Sequence, residues 1–212
     1  MRVVVIVSRD KSDLYFANQL MRRLHVVGVI VENQQPERDT SPLWKKAIKY
    51  AGSPRLFASK VYSTIAGQYR RRFADYHKPE NSVDFGEEGR KLLPRAGVEV
   101  LYTRGVNKIN APEYIEWLQN LRPDVVAVCG ASILRERLVS VPGHGVLNLH
   151  GGLAQRYRGL FTTDWAVHNA EPEYVGATVH FVSQGIDDGA IVYQGRPKVE
   201  SADNPHSLYV KV

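Results

Sequence analysis

Two short segments in the second half of the chain carry side chains suited to hydrogen-bond donation and proton transfer. In the first, Asn148 and His150 close an apolar run and are followed by two glycines. Alternate residues of a strand point to one face, so the amide and the imidazole are predicted to lie side by side. In the second, Asp187 and Asp188 form a glycine-flanked turn, which lets a ligand approach closely. Such groups can stabilise an oxyanion and carry a proton, but the spacing alone does not join the two segments into one site.

Patterns for several other chemistries are missing from the sequence. No His or Cys pair has the spacing of a metal site with a third ligand, so no metal is expected. The G-x-S-x-G motif of serine hydrolases is also missing. The single cysteine, Cys129, ends an apolar run and is predicted to pack rather than to act as a nucleophile. One cysteine cannot form an intrachain disulfide, and a cytoplasmic location is expected.

The elements that must position these groups follow a strand–helix–strand pattern. Residues 2–8 form a β-branched run typical of a buried strand, residues 13–24 have helical spacing, and residues 25–31 form a second strand. Further strands are predicted at 98–102, 124–129, 145–149, 176–183 and 190–194, and helices at 112–121, 134–139 and 162–169. The pattern predicts an α/β fold with a Rossmann-like, doubly wound and mostly parallel sheet. Ligands of such sheets bind outside the carboxyl ends of the strands.

A basic segment interrupts this pattern after the second strand. Residues 41–78 contain nine Lys or Arg and one acid, a local net charge of +8 against +6 for the whole chain. We interpret residues of about 33–95 as a helical insertion in a single catalytic domain that spans residues 1–212. The basic block indicates either an anionic partner or a solvated helical face.

The segment from Asp124 to Gln194 resembles the catalytic half of the folate-dependent formyltransferase superfamily. Its members share three motifs in order: N-[ILV]-H, an aromatic-R-G, and V-H-x-V followed by G-[ILV]-D-x-G. Here the first two motifs occupy residues 148–150 and 157–159, and the two parts of the third occupy residues 179–182 and 185–189. The resemblance is closest in kind to the sugar N-formyltransferases and methionyl-tRNA formyltransferase.

The resemblance implies transfer of a formyl group from 10-formyltetrahydrofolate, as co-substrate, to a primary amine. Asn148 and protonated His150 would donate hydrogen bonds to the oxyanion of the tetrahedral intermediate. Asp187 would hold His150 in its charged form and collect the proton of the amine. Asp188 is the less favoured acid. His180, in the neighbouring strand, is predicted to be structural rather than catalytic.

The same resemblance places the folate site in the loop that follows the strand ending at Cys129. Backbone groups around Ser132 would bind the edge of the pterin, and Ile133, Leu134 and Leu138 would pack against its ring. The turn that contains Gly185 would close the other side. Plain core packing remains an open alternative for Ile133 and Leu138.

The acceptor side departs from the family pattern. The loop after His150 lacks the usual Pro-Ser, and residues 8–12 lack a glycine-rich phosphate loop, so glycinamide ribonucleotide is disfavoured as the acceptor. Arg9, Lys11, Tyr157 and Arg158 are predicted to contact the substrate. The expected acceptor is an amino-sugar nucleotide or a similar small amine.

Other functions and partners stay open at this point. The alternatives are a formyltetrahydrofolate hydrolase, a formyltransferase that acts on charged tRNA, and a folate- or nucleotide-binding module without catalysis. Nucleic acid is a less favoured partner than a nucleotide-linked small amine, and a homodimer is an open expectation. No apolar run is long enough to span a membrane. Further sequence is expected to follow Val212 in the natural protein.

Overall fold

A computed structural model of the chain describes residues 1–33, 85–105 and 107–212. All of them belong to one of the two units into which the chain divides, Met1–Glu37 with Val83–Val212. The basic block at 41–78 and most of the predicted insertion at about 33–95 lie outside the described residues.

The described residues form seven strands and six α-helices. In chain order these are β1 (Val3–Val7), α1 (Lys11–Arg23), β2 (Val26–Val31), α2 (Gly86–Arg90), β3 (Glu99–Tyr102), α3 (Pro112–Leu121), β4 (Val125–Cys129), α4 (Glu136–Val139), β5 (Val146–His150), α5 (Thr162–His168), β6 (Ala177–Phe181), β7 (Ile191–Gly195) and α6 (Pro205–Lys211). A short 3-10 helix covers Pro172–Tyr174. The strands form one sheet in the order β3-β2-β1-β4-β5-β6-β7. The first five strands are parallel, whereas β6 and β7 are antiparallel to their neighbours. The predicted Rossmann-like, mostly parallel sheet is confirmed.

The β-branched run of β1 is buried because both faces of the sheet are covered. Val4 and Ile6 pack in a core with α3, whereas Val5 and Val7 pack in a second core with α1. Alternate residues of a strand point to opposite faces, which explains how one continuous apolar strand serves both cores. Each such side chain contributes roughly 1.5–3 kcal/mol when it is fully buried.

The strand order places a crevice between β1 and β4. The chain leaves β1 toward β2 on one side, and β4 pairs with β1 on the other side. In open α/β sheets the point at which the strand order reverses is where ligands bind, outside the carboxyl ends of the strands. Val7, Val31 and Cys129 are the last residues of the three strands around this point.

The antiparallel strand β6 positions the polar end of β5. Asn148 pairs with His180 and His150 pairs with Thr178. Val146, two residues before Asn148 on the same face, belongs to the core formed with α3 and α4. Asn148 and His150 therefore lie on the same face of β5 as Val146, next to the part of that face that the helices cover.

Candidate active site

Three polar side chains meet on one face of the β5–β6 pair. Asn148 Nδ2 lies 3.3 Å from His180 Nε2, the residue opposite it across the strand pair. The rings of His150 and His180 have centroids 6.4 Å apart and a nearly perpendicular orientation. Both histidines are buried, with 7% and 3% of their surface exposed. The strand pairing therefore adds His180 to the predicted Asn148–His150 pair.

The turn after β6 brings Asp187 back over this face. Asp187 Oδ2 lies 3.4 Å from His150 Nδ1, and Oδ1 lies 3.4 Å from His180 Nε2. The Gly159 N–H donates to Oδ2 at 2.9 Å. Asp187 has φ 48°, a left-handed conformation that is uncommon outside glycine and that clusters at functional sites. Asp188, by contrast, accepts a hydrogen bond from Ser183.

The surroundings of the two histidines constrain their protons. His150 Nε2 lies 3.1 Å from Tyr157 O, and His180 Nδ1 lies 2.9 Å from Phe181 O. A carbonyl oxygen only accepts, so each of these nitrogens carries hydrogen. A neutral ring would then direct the lone pair of its other nitrogen at Asp187. The contact between a histidine and Asp187 is attractive when the histidine is an imidazolium or when the carboxyl group of Asp187 is protonated.

The loop after His150 is held by Thr178, which is fully buried. Its hydroxyl donates to Gly152 O at 2.6 Å and accepts from Ala154 N at 3.1 Å. A Cβ atom on Gly152 would lie 2.9 Å from His150 Nε2, so only glycine allows this close approach. The loop thus keeps a defined path although it lacks the Pro-Ser pattern.

Two predicted acceptor contacts take different structural roles. Tyr157 donates its hydroxyl to Glu171, which raises the pKa of Tyr157, and its ring packs beside a small apolar cluster. The Arg158 side chain is exposed and donates from Nε to Ala154 O at 2.6 Å. Neither side chain contacts the histidines through a described hydrogen bond; the backbone carbonyl of Tyr157 does. Their roles in acceptor binding stay predictions.

The predicted folate loop has one exposed and one buried apolar end. Ile133 is 78% exposed, Leu134 is half-buried against the core, and Leu138 is fully buried within it. Leu138 therefore packs in the core, and its contact with the pterin stays a prediction. Ser132 uses both its N–H and its hydroxyl to bind Glu32. Gly185 is exposed and lies against the Asp188 carboxylate.

The segment after β1 turns its polar side chains inward. Ser8 and Ser12 both donate to the buried carboxylate of Asp13, at 2.6 and 3.0 Å. Burial is the main reason that the pKa of Asp13 is raised. Arg9 and Lys11 are exposed, and Arg9 stacks over the Tyr102 ring at 5.3 Å. No contact joins these two cations to the Asp187 cluster among the described residues.

Cys129, at the end of β4, lies against the same buried acid. Its Sγ is 3.5 Å from Asp13 Oδ1, and burial together with this negative charge raises the pKa of the thiol. A thiol held in its neutral form is a poor nucleophile. Within the described part of the chain, no group of three His, Cys, Asp or Glu suits a metal ion. Over the same residues, no helix has the length and apolarity needed to cross a membrane.

Comparison with known protein families gives a match over the whole length. The family model described as formyl transferase matches residues 1–212. A bifunctional polymyxin resistance protein ArnA from Wigglesworthia glossinidia brevipalpis is 34% identical over 139 residues, which cover 65% of this chain and 20% of the relative. A methionyl-tRNA formyltransferase from Caldanaerobacter subterraneus is 32% identical over 124 residues, which cover 58% of this chain and 39% of the relative. The chain thus spans less than half the length of these two relatives.

Solved structures share the fold at low sequence identity. A phosphoribosylglycinamide formyltransferase from Anaplasma phagocytophilum superposes with a TM-score of 0.61 and 20% identity, covering 100% of this chain and 78% of that one. A sugar N-formyltransferase from a Shewanella species gives a TM-score of 0.53 and 16% identity, covering 100% and 63%. At these identities the likeness describes the fold and leaves the acceptor open.

Proposed function

The chain belongs to the formyl transferase family, and on that premise we propose that it transfers a formyl group from 10-formyltetrahydrofolate to a primary amine of a small molecule. The observation that carries the proposal is the Asp187 carboxylate, which lies 3.4 Å from both His150 and His180. Asn148 stands beside this cluster. An amide donor, an imidazole and a shared carboxylate can supply the oxyanion stabilisation and the proton transfer that promote acyl transfer to an amine.

Each residue of this cluster has a role in the proposal. The amine nitrogen forms a bond to the formyl carbon, and the bond from that carbon to the folate nitrogen breaks. Asn148 Nδ2 donates to the oxyanion, and protonated His150 donates to it from Nε2, which exchanges its contact with Tyr157 O for the oxyanion while Nδ1 faces Asp187. One such donor is typically worth about 2.7–4 kcal/mol. Asp187 takes the proton of the amine, and the departing folate nitrogen regains a proton from the same cluster. Atoms and charge therefore balance without a metal ion in the scheme.

The residues present fit a flat, partly apolar formyl donor. Ile133 is 78% exposed on the loop after β4, and Ile186 is 65% exposed on the turn that carries Asp187. Exposed apolar side chains lose unfavourable contact with water when a ring covers them. We propose that these two residues pack against the pterin, with backbone groups of residues 130–134 at its edge.

The acceptor we propose is an amino-sugar nucleotide or a similar small amine. Residues 8–12 contain no glycine, and the hydroxyls of Ser8 and Ser12 are turned toward Asp13. This supports an acceptor other than glycinamide ribonucleotide, since a phosphate nest needs free backbone N–H groups. We propose that Arg9, Lys11 and Arg158, which are exposed, contact a phosphate on the acceptor.

A charged tRNA is the second candidate acceptor. It is favoured by the similarity to methionyl-tRNA formyltransferases and by the +8 charge of residues 41–78. Phosphate contacts make nucleic-acid binding steeply dependent on salt. We expect tight association with tRNA that weakens steeply with salt if tRNA is the acceptor, and only weak association at physiological salt if the acceptor is a small amine.

The test is a screen of amine acceptors with 10-formyltetrahydrofolate, in which the release of tetrahydrofolate is measured. We expect release only when an amine acceptor is present, and greater release with amino-sugar nucleotides than with methionyl-tRNA. Release without any acceptor would favour the hydrolase. Binding of the folate without release in the whole panel would favour a module that has lost catalysis.

A further inference from the structure

Glu32, the first residue after β2, is a buried acid outside the Asp187 cluster. Its backbone N–H donates to Val7 O at 2.7 Å, so it continues the ladder between β1 and β2. The next residue, Asn33, donates its N–H to Thr103 Oγ1 at 2.8 Å, on the β3 side. Only 2% of the surface of Glu32 is exposed. Hydrogen bonds to the β1 side and to the β3 side therefore hold the backbone at residues 32 and 33, which sets the direction in which the Glu32 side chain leaves the sheet.

The Glu32 side chain reaches across the end of β1 to the loop after β4. Glu32 Oε2 accepts from Ser132 N at 2.7 Å, and Oε1 accepts from Ser132 Oγ at 2.7 Å. In the strand order, β1 lies between β2 and β4. The contact therefore spans the crevice at the point where the strand order reverses. Two hydrogen bonds of 2.7 Å to one side chain define the position of Ser132.

A second side chain holds the other end of the same loop. Asn110 Nδ2 donates to Ile133 O at 2.8 Å, and Asn110 Oδ1 accepts from Arg135 N at 2.7 Å. Residues 131–135 are outside any helix or strand. Side chains from two distant segments thus determine the path of a loop that has no regular hydrogen bonding of its own.

An acid at the end of β2 has a different role in dinucleotide-binding folds, where it binds a ribose hydroxyl. Both oxygens of Glu32 already accept hydrogen bonds from Ser132, and the residue is almost completely covered. Residues 8–12 also lack the glycines that such folds use to approach a pyrophosphate. The geometry thus assigns Glu32 to the protein's own loop rather than to a ribose.

We propose that Glu32 is a positioning residue that holds residues 130–134 in the shape that receives the formyl donor. The proposal rests on the proposed function, because it takes that loop as one wall of the folate site. A loop fixed before binding saves the entropy of ordering it, and the gain is found in affinity. Glu32 donates and accepts no described hydrogen bond with Asn148, His150 or Asp187, and its side chain binds Ser132 instead. Glu32 is therefore expected to affect binding of the donor and not the rate of the chemical step.

Three substitutions at one position separate length from charge. Glu32→Gln keeps the length of the side chain, accepts from Ser132 N through its oxygen and donates to Ser132 Oγ through its nitrogen. Glu32→Asp keeps the charge but is one methylene group shorter. Glu32→Ala removes both. We expect near-parental behaviour from Gln, and similar defects from Asp and Ala.

The first measurement is amide hydrogen exchange of the free protein, which requires no ligand. Peptides covering residues 131–134 should exchange about ten-fold faster in Glu32→Ala and Glu32→Asp than in the parent. The second measurement is steady-state kinetics with the saturating acceptor found in the screen. The KM for 10-formyltetrahydrofolate should rise roughly 10- to 100-fold while kcat stays within about two-fold, as expected when a supporting contact is lost.

Glu99→Ala is the matched control. Glu99 Oε2 accepts from Trp117 Nε1 at 3.1 Å, but Glu99 lies at the amino end of β3, whereas Glu32 and residues 131–134 lie beyond the carboxyl ends of their strands. We expect this variant to leave both the exchange of residues 131–134 and the KM for the donor at parental values.

The outcomes distinguish this proposal from the proposed function. Unchanged exchange in Glu32→Ala would overturn the contact as the determinant of loop shape. Faster exchange with an unchanged KM, or a fall in kcat alone, would overturn the role in donor binding. A parent that binds no folate would overturn the proposed function and this role together, whereas the exchange result would still report on the contact itself.

Discussion

Asp187 Oδ2 lies 3.4 Å from His150 Nδ1, and the neighbouring Asp188 turns to Ser183 instead. The two adjacent acids therefore provide a direct comparison. We expect Asp187→Asn to lower kcat roughly 100-fold or more, because the amide can neither hold an imidazolium nor take a proton. Asp188→Asn should stay within about three-fold of the parent. Equal losses in steady-state kinetics of the two variants would contradict the choice of Asp187.

The donors at the end of β5 give a second prediction. Asn148→Ala and His150→Ala should each lower kcat by roughly 10²- to 10³-fold, the loss typical of an oxyanion donor. His144→Ala, which changes an exposed histidine just before β5, serves as the control. Circular dichroism and thermal melting should show that all three variants fold. Near-parental rates in the first two would remove Asn148 and His150 from the site.

His180 gives a third prediction, since it contacts both Asn148 and Asp187. We expect His180→Ala to lower kcat about 10- to 100-fold through loss of the position of both groups. The ring is buried, so its removal leaves space that free imidazole can fill. Added imidazole should therefore restore part of the rate. A loss of thermal stability without any effect of imidazole would instead identify a purely packing histidine.

The sequence predicted the strands and the polar end of β5 because these features are local. The β-branched run of β1 and the alternation of Asn148 and His150 are visible within a few residues. The contact of His180 with Asn148 depends on the antiparallel register of β6, which no local pattern specifies. Spacing likewise could not select between Asp187 and Asp188; the family resemblance made that choice.

The loop after β4 shows the same limit more clearly. The N–H and the hydroxyl of Ser132 are both used by Glu32, 100 residues earlier in the chain, and no local pattern predicts this contact. The helical spacing of Leu138 is compatible both with a ligand contact and with a core residue. In the structure its side chain is fully buried. Partners this distant become neighbours only through the strand order.

Cys129 gives a prediction on reactivity. Burial and the nearby Asp13 raise the pKa of this thiol, so little thiolate exists near neutral pH. We expect the folded protein to resist iodoacetamide, and the protein unfolded in guanidinium to react at the rate of a free cysteine. Mass spectrometry of the intact chain measures both. Rapid alkylation of the folded protein would contradict the raised pKa of this thiol.

Asp13 gives a prediction on pH dependence. Burial raises the pKa of Asp13 in the folded state, so the folded chain binds more protons than the unfolded chain above the ordinary aspartate pKa. Because proton binding is linked to stability, the free energy of unfolding falls as pH rises from the ordinary aspartate pKa through the raised pKa of Asp13 in the folded chain. Asp13→Asn lacks this loss. In urea unfolding, the stability of the variant relative to the parent should be greater at about pH 7 than at about pH 4.

The four groups of the candidate site all come from the continuous stretch between β5 and β7, whereas Glu32, Asn110 and the crevice they border come from the earlier strands and their loops. The groups proposed to react and the loop proposed to receive the formyl donor are thus encoded in different portions of the gene. Recombination between relatives at the connection from β4 to β5 would exchange the proposed donor loop and pass on the proposed reacting groups intact. A fold divided in this way can vary how it holds its donor without changing its reacting groups.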